Sequence, residues 1–476
     1  MPAANARQAG NSPEPTRNIP TDGPANITSQ AHPTAAVSLR IIPRDQHNIS
    51  RRDISPNALR VLYRLRDSGF AGYLVGGAVR DLLVGGHPKD FDIATDATPE
   101  QVKALFRNSR LIGRRFRLAH VVFGREIIEV ATFRANVDDG SGDREQHEGG
   151  RLLRDNVYGT IEDDAVRRDF TANALYYAIE DFSVRDYVGG FEDVQARKMK
   201  LIGDPEQRYR EDPVRMLRAI RLAGKLGFEI DPASAEPIAG LAPLLSEAAP
   251  ARLFEELLKL FLSGNAVASF EGLERFGLLS AILPETAAAL ASNRSGALRG
   301  MLLEGLRGTD ARVANDEPVS PAFLFALLLW PAYCRALIGL QAQGVNAEEA
   351  QRRAADRVTL HQLGTVALPR RFSLPMQEIW LLQSRFSSRQ RKRVMRLLAH
   401  PRFRAAYDFL LLRLTASSEH AEDVAFWREA QTQSGEELSA ALGVAVARDV
   451  YAEDDAAPPK RRRRRRRSGS AAPATE

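Results

Sequence analysis

The stretch "YLVGGAVRDLLVGGHPKDFDIAT", Tyr73 to Thr95, decides how the rest of the chain is read. Tyr73 to Val75 is strand-like and stops at Gly76-Gly77, after which "AVRDLLV" takes a helical period. Glycines between a strand and a helix leave backbone N–H groups bare at a helix N-terminus, where a polyphosphate can be met. Arg80, one turn inside, would add a fork of donors beside Asp81. Further on, Asp90 and Asp92 stand two apart in "DFDIAT"; on one strand they share a face with their Cα atoms about 7 Å apart. Two hard oxygen donors on a rigid strand suit Mg²⁺, completed by waters and substrate phosphates, and Mn²⁺ has similar tastes. The ordinary alternative is a tight β-α turn followed by a solvated D-x-D loop. The stretch is neither G-x-x-x-x-G-K-[ST] nor G-x-G-x-x-G, so neither a P-loop nor a dinucleotide fold is indicated.

A two-metal site wants a third carboxylate. Glu129 in "EIIEVATFR" is the candidate, because Ile128 and Val130 would point to one face of a strand and Glu129 to the other. A solvent-exposed face explains the same alternation equally well.

At 476 residues the chain exceeds what one core supports, so a modular protein is expected. No apolar run reaches the length of a membrane span; "FLFALLLW", Phe323 to Trp330, reads as a buried helix. The N-terminus lacks a secretory h-region, and Cys334 is the only cysteine, so a reducing, cytoplasmic setting is expected. Net charge is +6, of which "KRRRRRRR", Lys460 to Arg467, contributes +8 and leaves the remainder near −2. Eight like charges repel into an extended arm whose usual partner is a polyanion, nucleic acid first and an anionic membrane second.

Composition divides the chain into a disordered extension (1–46), an α+β head (47–204), a helical neck (205–265), a helical body (266–446) and a disordered Arg-rich tail (447–476). Within the head, a small mixed sheet flanked by helices is expected. Ser55-Pro56 should open a helix, Thr98-Pro99 a second, and "LAHVVFG" and "EIIEVATFR" should pair across a Gly124-Arg125 turn. The polar insert "ANVDDGSGDREQHEGGRLLRDN" reads as a mobile loop. Arg370 to Arg404 carries ten Arg or Lys against one Glu, interleaved with Phe372, Trp380, Phe386 and Phe403, a mixture suited to RNA grip though the aromatics can equally be core. Arg389, Arg391, Lys392 and Arg393 are its RNA-binding candidates. The eight histidines, His120 among them, show no ligand spacing and read as surface or structural.

"LVGGAVRDLL", "KDFDIAT", "VRRDFTANALYY" and "YREDPVRMLRAIRLAGKLGF" occur in that order between Arg51 and Leu262, and together they resemble the class II nucleotidyltransferases, the tRNA CCA-adding enzymes and bacterial poly(A) polymerases. The resemblance implies a Mg²⁺- and nucleotide-binding head, a neck that reads the incoming base, and helices that hold RNA. It implies that Asp90 and Asp92 hold metal, that Gly76, Gly77, Arg80 and Asp81 surround the triphosphate, and that Asp169 of "RRDF" lies at the catalytic centre. It further implies that Asp212 and Arg215 of "EDPVR" contact the base edge, as a carboxylate and a guanidinium three apart on one helix face could. Arg218 and Arg221 read as solvated. "LIGRRFRLAHVVFG", with Arg114, Arg115 and Arg117, resembles the segment that marks the poly(A) polymerases, and no His-Asp dipeptide occurs. The expected activity is template-independent, two-metal addition of AMP from ATP to RNA 3′ ends, with pyrophosphate released, in RNA polyadenylation and turnover. A monomer is expected, and the tail could also engage RNA-decay proteins. A CCA-adding enzyme, or an inactive RNA-binding protein on the same scaffold, are the alternatives.

Overall fold

Strand β1 (Arg40–Ile42) pairs antiparallel with a strand some 140 residues later and starts the fold earlier than composition suggests. Its three residues carry no alternation long enough to be seen, which is why the first 46 residues read as one disordered piece. The computed structural model describes residues 38–113, 117–135, 158–433 and 437; the insert from Asn136 and the oligo-arginine tail lie outside them.

The other strands of the main sheet are β2 (Gly72–Val75), β3 (Asp92–Thr95), β4 (Ser109–Ile112), β5 (Leu118–Phe123), β6 (Glu126–Thr132), β7 (Leu175–Ala178) and β8 (Val184–Asp186). They form one eight-stranded sheet in the order β1-β8-β7-β2-β3-β6-β5-β4, larger than the small sheet expected. Every pair is antiparallel except β3 and β6. Because Asp92 opens β3, Asp90 sits on the chain just before the strand, a correction to the reading that placed both carboxylates on it. The alternation still holds: Asp90 and Asp92 are exposed while Phe91 and Ile93 are buried.

Helix α1 (Pro56–Asp67) begins where Ser55 accepts from the Asn57 N–H at 3.1 Å. Its stripe of Ala58, Val61, Leu62 and Leu65 covers the sheet face that carries Leu74, Ile93, Val121, Ile128 and Val130. Helix α2 (Gly77–Leu83) follows β2, and α3 (Pro99–Leu105) carries the Thr98/Gln101 capping box. The opposite sheet face has a smaller apolar cluster, Tyr73, Val75, Ala94, Tyr176 and Ala178, with α4 (Ile161–Val166) supplying Ala165.

After α5 (Gly190–Gln195), the segment expected as the neck opens with α6 (Pro205–Glu211) and α7 (Val214–Leu226). These are two helices because Pro213 has no N–H to donate and forces Asp212 into an extended conformation, φ −147° and ψ 91°. Asp212 and Arg215 therefore flank a helix break, which corrects the expectation of one continuous face. Beyond α7 a two-residue strand, Glu229–Ile230, pairs parallel with Lys198–Met199, and the described regular elements that follow are helices. Leu324 to Trp330 is buried as expected, but the single helix expected over Phe323 to Trp330 breaks between Leu328 and Trp330. Trp380, Phe386 and Phe403 are core, with the Trp380 indole donating to the Ala326 carbonyl at 3.0 Å. Phe372 stacks on Phe254. The aromatics among the basic residues thus hold the body together and are not a stacking platform.

Candidate active site

The parallel junction of β3 and β6 brings the acidic residues together. Asp92 is in register with Glu129, and Glu129 is in register with His120 on β5, so the three stand in a row on one sheet face. Parallel neighbours lie about 4.8 Å apart. The Asp92 carboxyl touches solvent, yet the protein crowded around it desolvates it; with Glu129 and Asp90 nearby it is pushed up to about 6, against the opposing pull of Arg168. His120 Nε2 lies 3.1 Å from Glu129 Oε1, while its Nδ1 is buried with no hydrogen-bond partner among the described residues. The neighbourhood was countable from sequence: residues 120 and 129 are equidistant from the Gly124-Arg125 turn, so any two-residue hairpin there makes them partners.

A crowd of carboxylates that resist shared ionisation fits a hard divalent cation, which would relieve the repulsion. Among the described residues no group of three or more His, Cys, Asp or Glu is placed to hold a metal ion, so Asp90, Asp92 and Glu129 do not converge as three ligands. The arrangement is an open one, in which oxygens from elsewhere would complete the shell.

The glycine turn faces this row. Gly76 has φ +76° and ψ −136°, a conformation open only to glycine, and precedes the first turn of α2. A Cβ on Gly76 would come 3.8 Å from Arg168 Nη1 and 3.9 Å from the Asn173 carbonyl. Arg168 is fixed from behind: Nε and Nη2 donate to Asp164 Oδ2 at 3.2 and 2.8 Å, and Nε reaches the Tyr176 hydroxyl at 2.9 Å. Burial alone would raise the Asp164 carboxyl, but Arg168 and Tyr176 hold it below the usual carboxylate range. Nη1 is thereby left toward the glycines. Arg80 is placed differently from its expected role. It is 3% exposed, its fork is taken by Asp81 (Nε 2.8 Å, Nη2 2.6 Å), and Nη1 binds Asn173. It supports the turn from within, and Asp81 also meets Lys225 of α7 at 3.8 Å.

Asp169 is likewise engaged. Burial would raise its carboxyl, but Arg218 of α7, donating from Nε at 2.8 Å and from Nη2, holds it low, helped by Asn173 and the Phe170 N–H. Arg208 of α6 donates to the carbonyls of Arg167 and Arg168 at 2.9 and 2.6 Å. The neck therefore grips "RRD" directly, and Arg218 is a latch, not a solvated charge. Arg221 is the same kind of surprise, paired with the buried Glu256 at 2.5 Å. Asp212 receives both Arg252 nitrogens at 2.8 and 2.5 Å, and Arg215 donates to the Arg208 carbonyl and to Glu211 at 2.7 and 2.9 Å.

Of the basic candidates, Arg114 and Arg115 lie outside the described residues. Arg117 pairs with Glu100 at 2.7 Å. Arg389 is committed to Asp423 at 2.6 Å and stacks over Phe426, so its charge is already answered. Arg391, Lys392 and Arg393 are exposed at the start of the Arg391–Leu398 helix.

Comparison with known proteins accords with this geometry. The sequence matches the family described as "Poly A polymerase head domain" over residues 72–200, "Probable RNA and SrmB- binding site of polymerase A" over 227–290 and "Polymerase A arginine-rich C-terminus" over 343–468. Poly(A) polymerase I of Salmonella typhi is 49% identical over 410 residues, covering 85% of this chain and 88% of that protein. A CC-adding tRNA nucleotidyltransferase of Halalkalibacterium halodurans is 35% identical over 226 residues, 48% of this chain and 54% of that protein. Among solved structures, the Bacillus stearothermophilus CCA-adding enzyme in complex with CTP shares the fold, with a TM-score of 0.54 at 24% identity over 84% of this chain and 94% of that one. No single described helix is long and apolar enough to cross a membrane. Identity of 49% over 85% of the chain, together with family matches to the head and to the arginine-rich C-terminus, places this chain in the poly(A) polymerase family of nucleotidyltransferases.

Proposed function

We propose that this poly(A) polymerase transfers AMP from ATP to RNA 3′ ends at the junction of β3 and β6. The observation that carries the reading is the set of carboxylates Asp90, Asp92 and Glu129 beside the Gly76 turn, with Asp92 raised to about 6 by crowding and like charge. Asp90 and Asp92, with Glu129 next to them, would hold Mg²⁺ or Mn²⁺, whose bound chemistry is to acidify the RNA 3′-hydroxyl and to stabilise charge on the departing pyrophosphate. The Gly76-Gly77 amides and Arg168 Nη1 would meet the triphosphate, for electrostatic stabilisation by groups already in place. Arg80 and Asp81 keep that turn in shape. Asp212 and Arg215 would read the adenine edge, and the Asp169–Arg218 pair sets their distance from the reacting phosphate. The exposed Arg391, Lys392 and Arg393, with Arg114, Arg115 and the oligo-arginine tail, would grip RNA through its phosphates.

The test supplies purified protein with an unstructured RNA and with tRNA lacking its CCA end, each nucleotide separately and then together. Long AMP runs on both RNAs are expected, abolished in the Asp90→Ala, Asp92→Ala variant. Incorporation of CTP with arrest after three residues would overturn the assignment.

A further inference from the structure

The sheet face away from the carboxylates carries a second concentration of charge and rings. A hollow of about 430 Å³ is lined by Arg44, Ser50, Arg51, Arg52, Tyr63 and Phe182, with Leu59 and Tyr177 at its base. No carboxylate lines it, although Asp45 and Asp53 are chain neighbours. Tyr177 is in register with Leu74 of β2, whose neighbour Val75 is in register with Asp92; alternation therefore puts the hollow and the carboxylate row on opposite faces. It is not the nucleotide site already described.

Three details make it more than a patch of surface arginines. The Arg51 guanidinium carbon lies over the Phe182 ring, 4.6 Å from its centroid, and Nη1 donates to the Tyr63 hydroxyl at 3.1 Å, so guanidinium and ring are held together. Phe182 has φ +59°, a left-handed conformation a bulky residue avoids, in the tight connection between β7 and β8; the His47 ring bonds its carbonyl at 2.9 Å. Glycine or asparagine would satisfy that turn with less strain; the aromatic ring instead packs partly against the head core and lies under Arg51. Arg52 is exposed and makes no ion pair among the described residues, and Arg44 donates only to the His47 carbonyl.

We propose that this hollow binds one nucleotide unit, its base stacked on the Arg51–Phe182 platform and its phosphate held by Arg44 and Arg52. Guanidinium planes and aromatic rings accept any base face, and paired guanidinium groups suit phosphate geometry. The choice of a nucleotide rests on the poly(A) polymerase reading. Its source is either the RNA strand upstream of the 3′ end or a free nucleoside phosphate.

The experiment uses the full chain and the variant Arg44→Ala, Arg52→Ala, whose exposed side chains are not needed for folding; unchanged thermal melting verifies that. Fluorescence anisotropy with oligo(A) RNA is measured across a salt series, and 5′-AMP is titrated by calorimetry into both proteins. If the strand occupies the hollow, RNA affinity falls about tenfold, and the slope of log affinity against log salt drops by about 1.4, at ~0.7 per lost single-strand phosphate contact. If free nucleotide occupies it, one AMP-binding event disappears from the variant and RNA affinity is unchanged. Loss of both supports recognition of the unit in either form. Identical RNA affinity, salt slope and AMP binding in the two proteins would overturn the proposal. Because these are binding measurements, they stand apart from the tailing assay, which tests the activity itself.

Discussion

Replacing Arg218 by methionine tests whether the head and neck are latched by charge. Arg218 is about one-third exposed and Asp169 nearly buried, side-chain exposures being 34% and 13%. Removing one partner of a buried pair costs roughly 3–5 kcal/mol, because the remaining charge is left uncompensated. Asp169 keeps the Phe170 N–H and the Asn173 amide, and Arg218 is partly solvated, so the low end, about 3 kcal/mol, applies. That is a factor of about 150 in the folding equilibrium and roughly 3 °C in Tm for a chain of this length. The pH dependence carries the diagnosis. In the native protein Asp169 has a lowered pKa, so its contribution is present above the unfolded carboxyl value of about 3.9 and lost as pH falls through the folded one. In Arg218→Met the burial that remains raises the same carboxyl, so the variant suffers most at neutral pH and the gap from native narrows on acidification. Thermal unfolding at pH 7 and pH 5, with Asp169→Asn, Arg218→Met alongside, reads both effects. The double variant should recover most of the lost stability. A double variant as unstable as the single one, or a gap independent of pH, would refute a charge-based latch.

Metal-induced stabilisation should weaken as pH falls through about 6, where Asp92 takes up a proton; thermal shift with Mn²⁺ against EDTA reads it, and Asp92→Asn should remove the dependence. Gly76→Ala should cost about 1–3 kcal/mol through backbone strain, since nothing lies closer than 3.8 Å to the new methyl, and should raise the KM for ATP. Asp164→Asn should free Arg168 to rotate, raising the KM for ATP about tenfold while leaving RNA affinity, measured by anisotropy, unchanged. Arg252→Ala should release Asp212 and narrow the preference for ATP over CTP by about tenfold, read as a ratio of kcat/KM values.

Local signals in this chain were strong where one residue type does one job. Ser55-Pro56 and Thr98-Pro99 open helices because a hydroxyl before a proline is a local cap, and the Gly124-Arg125 turn joins β5 to β6 because only a tight reversal fits between two alternating runs. Motifs spread from Tyr73 to Arg215 named the family before any coordinates, and the identity to poly(A) polymerase I supports that reading. What spacing could not supply was pairing between distant segments. β1 and β8 are three residues long, too short to show a period, and β7 is buried on both faces and shows no alternation; all three exist as strands because neighbours complete their ladders.

The same division runs through "YLVGGAVRDLLVGGHPKDFDIAT". Its glycine turn and its two aspartates follow from residue type, since only glycine adopts the backbone at Gly76 and alternation alone puts Asp90 and Asp92 on one side. Which charges stay available was decided in three dimensions. An arginine in a sequence is simply a cation; Arg218 became structural because Asp169 folded within reach, Arg80 because folding buried it against Asn173 beside its neighbour Asp81, while Asp164 and Tyr176 turned Arg168 toward the glycines. Glu129 joined Asp92 through a parallel pairing across more than thirty residues of chain, a contact set by the packing of the whole sheet and by nothing in either segment alone.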